Sequence, residues 1–243
     1  MNSVETKIFN KEIDHSFDDH ISLSSDGLYA IRVTASAKAW WQHITSRRSF
    51  LKKDGLTVQL DQETIIPAAS KKRLRADYFW NGNLLKGHEM TAFIIISLKQ
   101  GDHIFSFISH GKPFLKELSI FQITNSTISL EHLIPSDRDR IPWITFLFHW
   151  TVTVSNFSIT AQAEKRKGDD DDLQIAIDGI TEKNTGKHAH RDWFWCGKIL
   201  NGEVKTFTRT FVRDATPKRI DIVADGMPLI DTLTFVITDS DHE

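Results

Sequence analysis

"DYFWNGNLLKGHEMT", Asp77 to Thr91, is written a second time as "DWFWCGKILNGEVKT", Asp192 to Thr206. At an offset of 115 the two copies stay in register without a gap, from Asp77 on Asp192 as far as Ile120 on Phe235. Phe79 meets Phe194, Trp80 meets Trp195, Gly82 meets Gly197 and Leu85 meets Leu200. A turn of fixed geometry demands the same glycine or proline each time, so the pairs Gly87/Gly202, Gly111/Gly226 and Pro113/Pro228 predict architecture that recurs. Upstream, "GLTVQLD" ending at Asp61 resembles "DLQIAID" ending at Asp178, and "TASAK" ending at Lys38 resembles "TAQAE" ending at Glu164. The offset changes there because the first copy carries extra residues: "WWQHITSRRSF", Trp40 to Phe50, has no counterpart of that length. The chain reads as a duplicated module of roughly a hundred residues, an ordinary domain size.

Within each copy the apolar residues alternate. Tyr29, Ile31 and Val33 share one face of an extended chain, as do Leu56, Val58 and Leu60, and Ile220 and Ile222. Period two marks half-buried strands, and the denser run "TAFIIISL" marks a strand buried more deeply. Turn signals at "SDG", "KQGD", "SHGKP" and "ADGMP" arrive at the spacing of all-β domains, with no long helical stripe between them. The expected fold is all-β: two tandem antiparallel β-sandwiches of jelly-roll or galactose-binding-like type. Residues 1–124 form the first sandwich and 143–243 the second. The polar, proline-bearing stretch 125–142 is expected to be an ordered connector.

Composition narrows the function classes. Thirty Lys plus Arg against 32 Asp plus Glu give a formal charge of -2, no field that would nominate nucleic acid or an anionic membrane. The single cysteine, Cys196, excludes an internal disulfide and any multi-cysteine zinc site. The opening "MNSVETKIFNKEIDH" shows neither part of a secretory signal, and the longest apolar run, "WITFLFHW", is far short of a membrane span. Neither membrane insertion nor a particular compartment is therefore expected.

Gly27, Tyr29, Ile31 and Val33, then Asp61, then Gly101 with His103, then Leu118 with Ile120, follow an order that resembles carbohydrate-binding modules of the family-six and family-thirty-five type. The chain is also similar to the paired sandwich region that precedes C39-type peptidase domains in some small-genome bacteria, where phrases like "ASAKAWWQ" and "PSDRDRIPW" occur together. Both resemblances imply a non-catalytic accessory region, and the first implies a glycan ligand. The second copy departs from the module pattern: it lacks the "G-x-H" turn and the "G-x-Y" strand opening.

A glycan site needs aromatic faces for sugar C–H groups with amides or carboxylates beside them. Trp40 and Trp41 meet that description beside Gln42 and His43, as do Tyr78 and Trp80 beside Asn81 and Asn83; the candidate ligand-binding set is Trp40, Trp41, Tyr78, Trp80, Asn81 and Asn83. Trp193 and Trp195 follow Asp192 in the same way. The repetition of Trp80 and Trp195 with the turn glycines also fits a shape-keeping role, and alternation along a strand turns one of Trp40 and Trp41 outward. No cofactor is expected. Structural calcium is the ion that Asp169 to Asp172 would gather, and His188, His190 and Asp192 have a spacing suited to a transition metal, though both stretches also read as solvated loops. Cys196 reads as a buried inert thiol. In "PSDRDRIPW", Asp137, Arg138, Asp139 and Arg140 are expected to pair with one another as a ladder. With no nucleophile motif and no distinguished carboxylate pair, the expected function is non-catalytic binding of a glycan; the alternative is a protein-interaction module without a small ligand.

Overall fold

The computed structural model describes residues 1–46, 53–64, 78–184 and 192–239. The chain divides into two compact units, Asn2–Gln122 and Ile123–Glu243. In chain order the first holds β1 (Asn2–Glu12), β2 (Phe17–Leu23), β3 (Gly27–Ser36), a 3-10 helix (Trp40–Ser46), β4 (Gly55–Leu60), β5 (Glu63–Thr64), β6 (Trp80–Asn81), α1 (Gly82–Leu85), β7 (Glu89–Leu98), β8 (Gly101–His110) and β9 (Phe114–Ile123). The second holds β10 (Thr127–Leu133), β11 (Arg138–Phe148), β12 (Val152–Gln162), β13 (Asp172–Ile177), β14 (Ile180–Thr181), β15 (Trp195–Cys196), α2 (Gly197–Leu200), β16 (Val204–Thr210), a 3-10 turn (Arg213–Ala215), β17 (Arg219–Gly226) and β18 (Leu229–Asp239).

Each unit is a sandwich of two sheets. In the first the strand orders are β1-β9-β3-β7 and β2-β8-β4-β5, with β6 beside β4. In the second they are β10-β18-β12-β16 and β11-β17-β13-β14, with β15 beside β13. Replacing each strand of the first unit by its successor in the second reproduces the same order, and the order is that of a jelly roll. The pairings are antiparallel: β3 runs against β7 from Gly27 opposite Leu98 to Ser36 opposite Glu89, and β12 against β16 from Asn156 opposite Thr210 to Gln162 opposite Val204.

Alternation puts the core where the sequence predicts it. Tyr29, Ile31, Val33, Leu56, Val58, Leu60, Ile220 and Ile222 are all buried. Aromatic rings close the space between sheets. Phe9 of β1 lies 5.9 Å from Phe107 of β8, and Phe146 of β11 lies 4.6 Å from Phe235 of β18, which also stacks on Phe157 at 4.8 Å. Offset and tilted ring pairs at such distances add to the stabilisation from burial alone.

The expected connector 125–142 is not one. Thr127–Leu133 pairs with β18 from Thr127 opposite Val236 to Leu133 opposite Ile230, and the strand from Arg138 pairs with β17. These are the first two strands of the second sandwich. They read as linker because β10 is an edge strand with only Ile128 fully buried, and because β11 breaks register on either side of Ile141 and Pro142. Proline has no N–H for a ladder, and a bulge is where a strand accommodates one. Among the described residues no helix is long and apolar enough to cross a membrane.

Candidate functional site

The repeated phrase builds the same corner twice. The indole N–H of Trp80 donates to the Met90 carbonyl at 2.9 Å, and that of Trp195 donates to the Lys205 carbonyl at 2.8 Å. Both rings are fully buried. A one-turn helix follows each tryptophan and stops in the left-handed conformation, at Lys86 (φ 49°) and at Asn201 (φ 47°). Gly82 and Gly197 pass so close to the carbonyl oxygens of Lys38 and Glu164 that a Cβ at either would overlap them. The phrase therefore holds a shape: its glycines admit neighbouring backbone, and its tryptophan ties the small strand to the opposite sheet.

That geometry sorts the expected ligand set. Trp80 has no exposed face and its polar atom is committed, so it is withdrawn from ligand contact. Asn81 is buried as well, its Oδ1 accepting the Asn83 N–H at 3.0 Å to cap α1. Tyr78 is half-buried, lying over Gly55 and stacked on His110 with centroids 5.1 Å apart. Asn83 is exposed on α1.

Trp40 and Trp41 are 47% and 50% exposed. They stand on the 3-10 helix rather than on a strand, so strand alternation does not force one ring inward, and both face solvent. The helix is tethered to the repeated corner. Gln42 Oε1 accepts the Ala39 N–H at 2.8 Å, and Gln42 Nε2 donates to the Lys86 carbonyl at 2.8 Å. The Gly87 N–H donates to the Ala37 carbonyl at 2.8 Å. These bonds set the tryptophan pair beside α1, the element that carries Asn83. Two indole faces and a carboxamide thus share one edge of the first unit, an arrangement able to stack on an apolar ring face and to hydrogen-bond hydroxyls.

The last two carboxylates of the acidic run, Asp171 and Asp172, face inward. Asp171 is 1% exposed; its Oδ1 accepts the Met227 N–H at 2.7 Å and its Oδ2 lies 2.8 Å from Arg166 Nε. Asp170 accepts the Arg166 N–H, and Asp172 accepts the Gly197 N–H at 2.9 Å. Burial pushes the Asp172 carboxyl up to about 6, helped by the charges of Asp225 and Asp170 and opposed by the Gly197 N–H and the Cys196 thiol. Burial raises the Asp225 carboxyl too, against the pull of Arg140. Cys196 is buried, and burial and the Asp172 charge push its thiol up, away from the reactive thiolate. Among the described residues no group of three or more His, Cys, Asp or Glu side chains is arranged to hold a metal ion. His188 and His190 lie outside the described residues.

Both arginines of the expected Asp137, Arg138, Asp139 and Arg140 ladder have partners outside it. Arg140 Nε lies 3.1 Å from Asp225 Oδ2, with its guanidinium 5.6 Å from the centre of the buried Trp193 ring. Arg138 is buried and donates to the Pro142 carbonyl at 3.0 Å. Matched charges along a sequence suggested self-pairing, but a strand sends neighbours to opposite faces and the bulge turns Arg140 toward β17.

Sequence reasoning placed Gln42 and His43 beside the tryptophans without giving them a task. Asp54 and Asp171 occupy corresponding places in the two units, both buried and bonded to their neighbours' main chain. The glycine pair Gly111 and Gly226 is the signal for them in the sequence: each adopts positive φ (70° and 68°), and a Cβ there would overlap the aspartate. Compared with protein-family models and with curated proteins, the chain has no match.

Proposed function

We propose that the chain is a non-catalytic binding module that takes a glycan at one edge of its first unit, making and breaking no bond. The observation that carries this reading is the pair of half-exposed indoles, Trp40 and Trp41, held on a helix whose Gln42 side chain ties it to the sandwich. Asn83 supplies a carboxamide on α1, and the half-buried Tyr78, close before β6 in the sequence, stacks on His110. Stacking orders the ligand at small entropic cost when the rings are already fixed. The identical strand order of the two units supports a tandem duplication of a galactose-binding-like module. The second copy has no counterpart to the tryptophan-bearing insertion, so the site belongs to the first.

The alternative, a protein-interaction module, draws on Trp150, which is 77% exposed at the turn between β11 and β12. A glycan array with the wild-type protein and the Trp40→Ala/Trp41→Ala variant separates the two. The expected result is binding to at least one glycan class, lost at least tenfold in the variant with its thermal unfolding unchanged. No binding by the wild type to any glycan would overturn the reading in favour of the alternative.

A further inference from the structure

β4 and β13 each begin beside a buried carboxylate in a cradle made of main chain. Asp54 is 2% exposed, and its N–H donates to the Lys38 carbonyl at 3.0 Å. Its Oδ1 accepts the Lys112 N–H at 2.7 Å and its Oδ2 the Lys38 N–H at 3.3 Å. Asp171 sits in the same cradle: its N–H donates to the Glu164 carbonyl at 2.9 Å and its Oδ1 accepts the Met227 N–H at 2.7 Å. A carboxylate this deep needs a further nitrogen on its remaining lone pairs. The two units supply it from different places. In the second, Arg166 of the short loop after β12 reaches Asp171 Oδ2 at 2.8 Å. In the first, the buried His43 brings Nε2 to 3.2 Å from Asp54 Oδ2, an ion-pair contact outside hydrogen-bond geometry.

The difference in supply has a geometric consequence. Arg166 follows Glu164 almost at once, whereas Trp40 and Trp41 lie between Lys38 and His43. The segment that carries the indoles is therefore fastened at its start by Lys38, at its end by His43, and in between by Gln42, which spans from the Ala39 N–H to the Lys86 carbonyl. We infer that the buried carboxylate of Asp54 is a socket and that His43, seated in it, is the positioning residue that presents Trp40 and Trp41 as a fixed platform. The inference rests on the reading of that pair as the ligand-contact surface, and it deepens it: the insertion keeps the socket contact of the module and builds a binding face into the loop that makes it. His43 touches no ligand in this scheme and acts through the main chain between it and Lys38.

The test compares wild type, His43→Gln, His43→Arg and Arg166→Gln in the full chain. The main readout is the NMR order parameters of the Trp40 and Trp41 indole N–H groups; the others are thermal unfolding and affinity for any glycan that the array returns. In His43→Gln the two indoles are expected to become mobile on the ps–ns timescale while the indoles of Trp80 and Trp195 stay rigid, and glycan affinity falls about tenfold. His43→Arg, which supplies the side chain that the second unit uses, is expected to restore both. Arg166→Gln is expected to leave Trp40 and Trp41 unmoved. Equally rigid indoles in His43→Gln, or a failure of arginine to restore them, would overturn the inference. Should His43→Gln not fold, the double variant His43→Gln/Asp54→Asn removes the buried charge with its partner, and the same mobility is expected of it. If the wild type binds no glycan, the ligand reading falls while the order parameters still decide the platform.

Discussion

His103 is held by an acceptor at each ring nitrogen. Its Nδ1 lies 2.7 Å from Asp61 Oδ2 and its Nε2 lies 2.9 Å from the Lys99 carbonyl, so both bonds require both nitrogens to carry hydrogen, which only the imidazolium does. Burial by itself would lower this group; the Lys99 carbonyl and the Asp61 carboxylate outweigh it, and the imidazole is raised above its ordinary value. Asp61 uses its other oxygen to accept the Ile104 N–H at 2.8 Å, and Asp178 does the same for Arg219 at 2.9 Å in the second unit, where Lys218 stands in place of the histidine. The clamp on the β4 turn is therefore sensitive to pH in the first unit alone. Because the folded state holds the proton more tightly than the unfolded chain, the stabilisation is complete below about pH 6.5 and is lost as pH rises through the folded value. Urea unfolding of wild type against His103→Gln should show a difference larger at pH 5.5 than at pH 8.5 by roughly 1 kcal/mol, the worth of one hydrogen bond. A difference that grows with pH would refute the assignment of a charged imidazole.

Asp172 and Asp225 stand directly opposite each other on β13 and β17, both buried. Like charges in such a pair repel across the ladder, and Arg140 on β11 brings a cation to Asp225. The Asp172 carboxyl titrates near 6 in the folded state against about 3.9 in an unfolded chain, so the native state binds the extra proton between those values. Stability must then fall as pH climbs through that window and stay lowered above it. Asp172→Asn keeps an oxygen for the Gly197 N–H and removes the charge; it should be more stable than wild type at pH 7.5, by at most about 3 kcal/mol, with the gain gone by pH 4. Chemical denaturation at the two pH values checks this, and a variant less stable at pH 7.5 would show that the charged form is favoured. The same elements mark the limit of what sequence conveys. Alternation marks β3, β4 and β17 because each sets its large apolar side chains on one face, and the glycine pairs mark the corners because no other residue fits there. The strands β10 and β11 were missed because an edge strand buries little and a bulge breaks the period. Contact between Asp172 and Asp225 depends on strand register, which one strand's own residues do not encode. The outward face of both Trp40 and Trp41 depends on a 3-10 turn that a hydrophobic pattern does not announce.

Two units with the same strand order need not share an interior. Each has its own set of buried aromatics, Phe105 and Phe107 with Trp80 in the first, and Phe146, Phe157 and Phe235 with Trp195 in the second. The tryptophan in each ties a small strand to the opposite sheet through a single indole N–H bond, so Trp80→Phe and Trp195→Phe are matched perturbations, one in each unit. Each leaves a main-chain carbonyl without its donor, at a cost of about 1–3 kcal/mol. Sites without shared partners give effects that add to within about 0.5 kcal/mol. Native-state hydrogen exchange resolves the consequence strand by strand. Trp80→Phe should lower the opening free energy of amides in β4 and β8 by about 1–3 kcal/mol and leave those of β13 and β17 within about 0.5 kcal/mol of wild type; Trp195→Phe should do the reverse. Loss of protection in all four strands from either substitution would mean that the chain opens as one cooperative body, and the independence of the two interiors would fail with it.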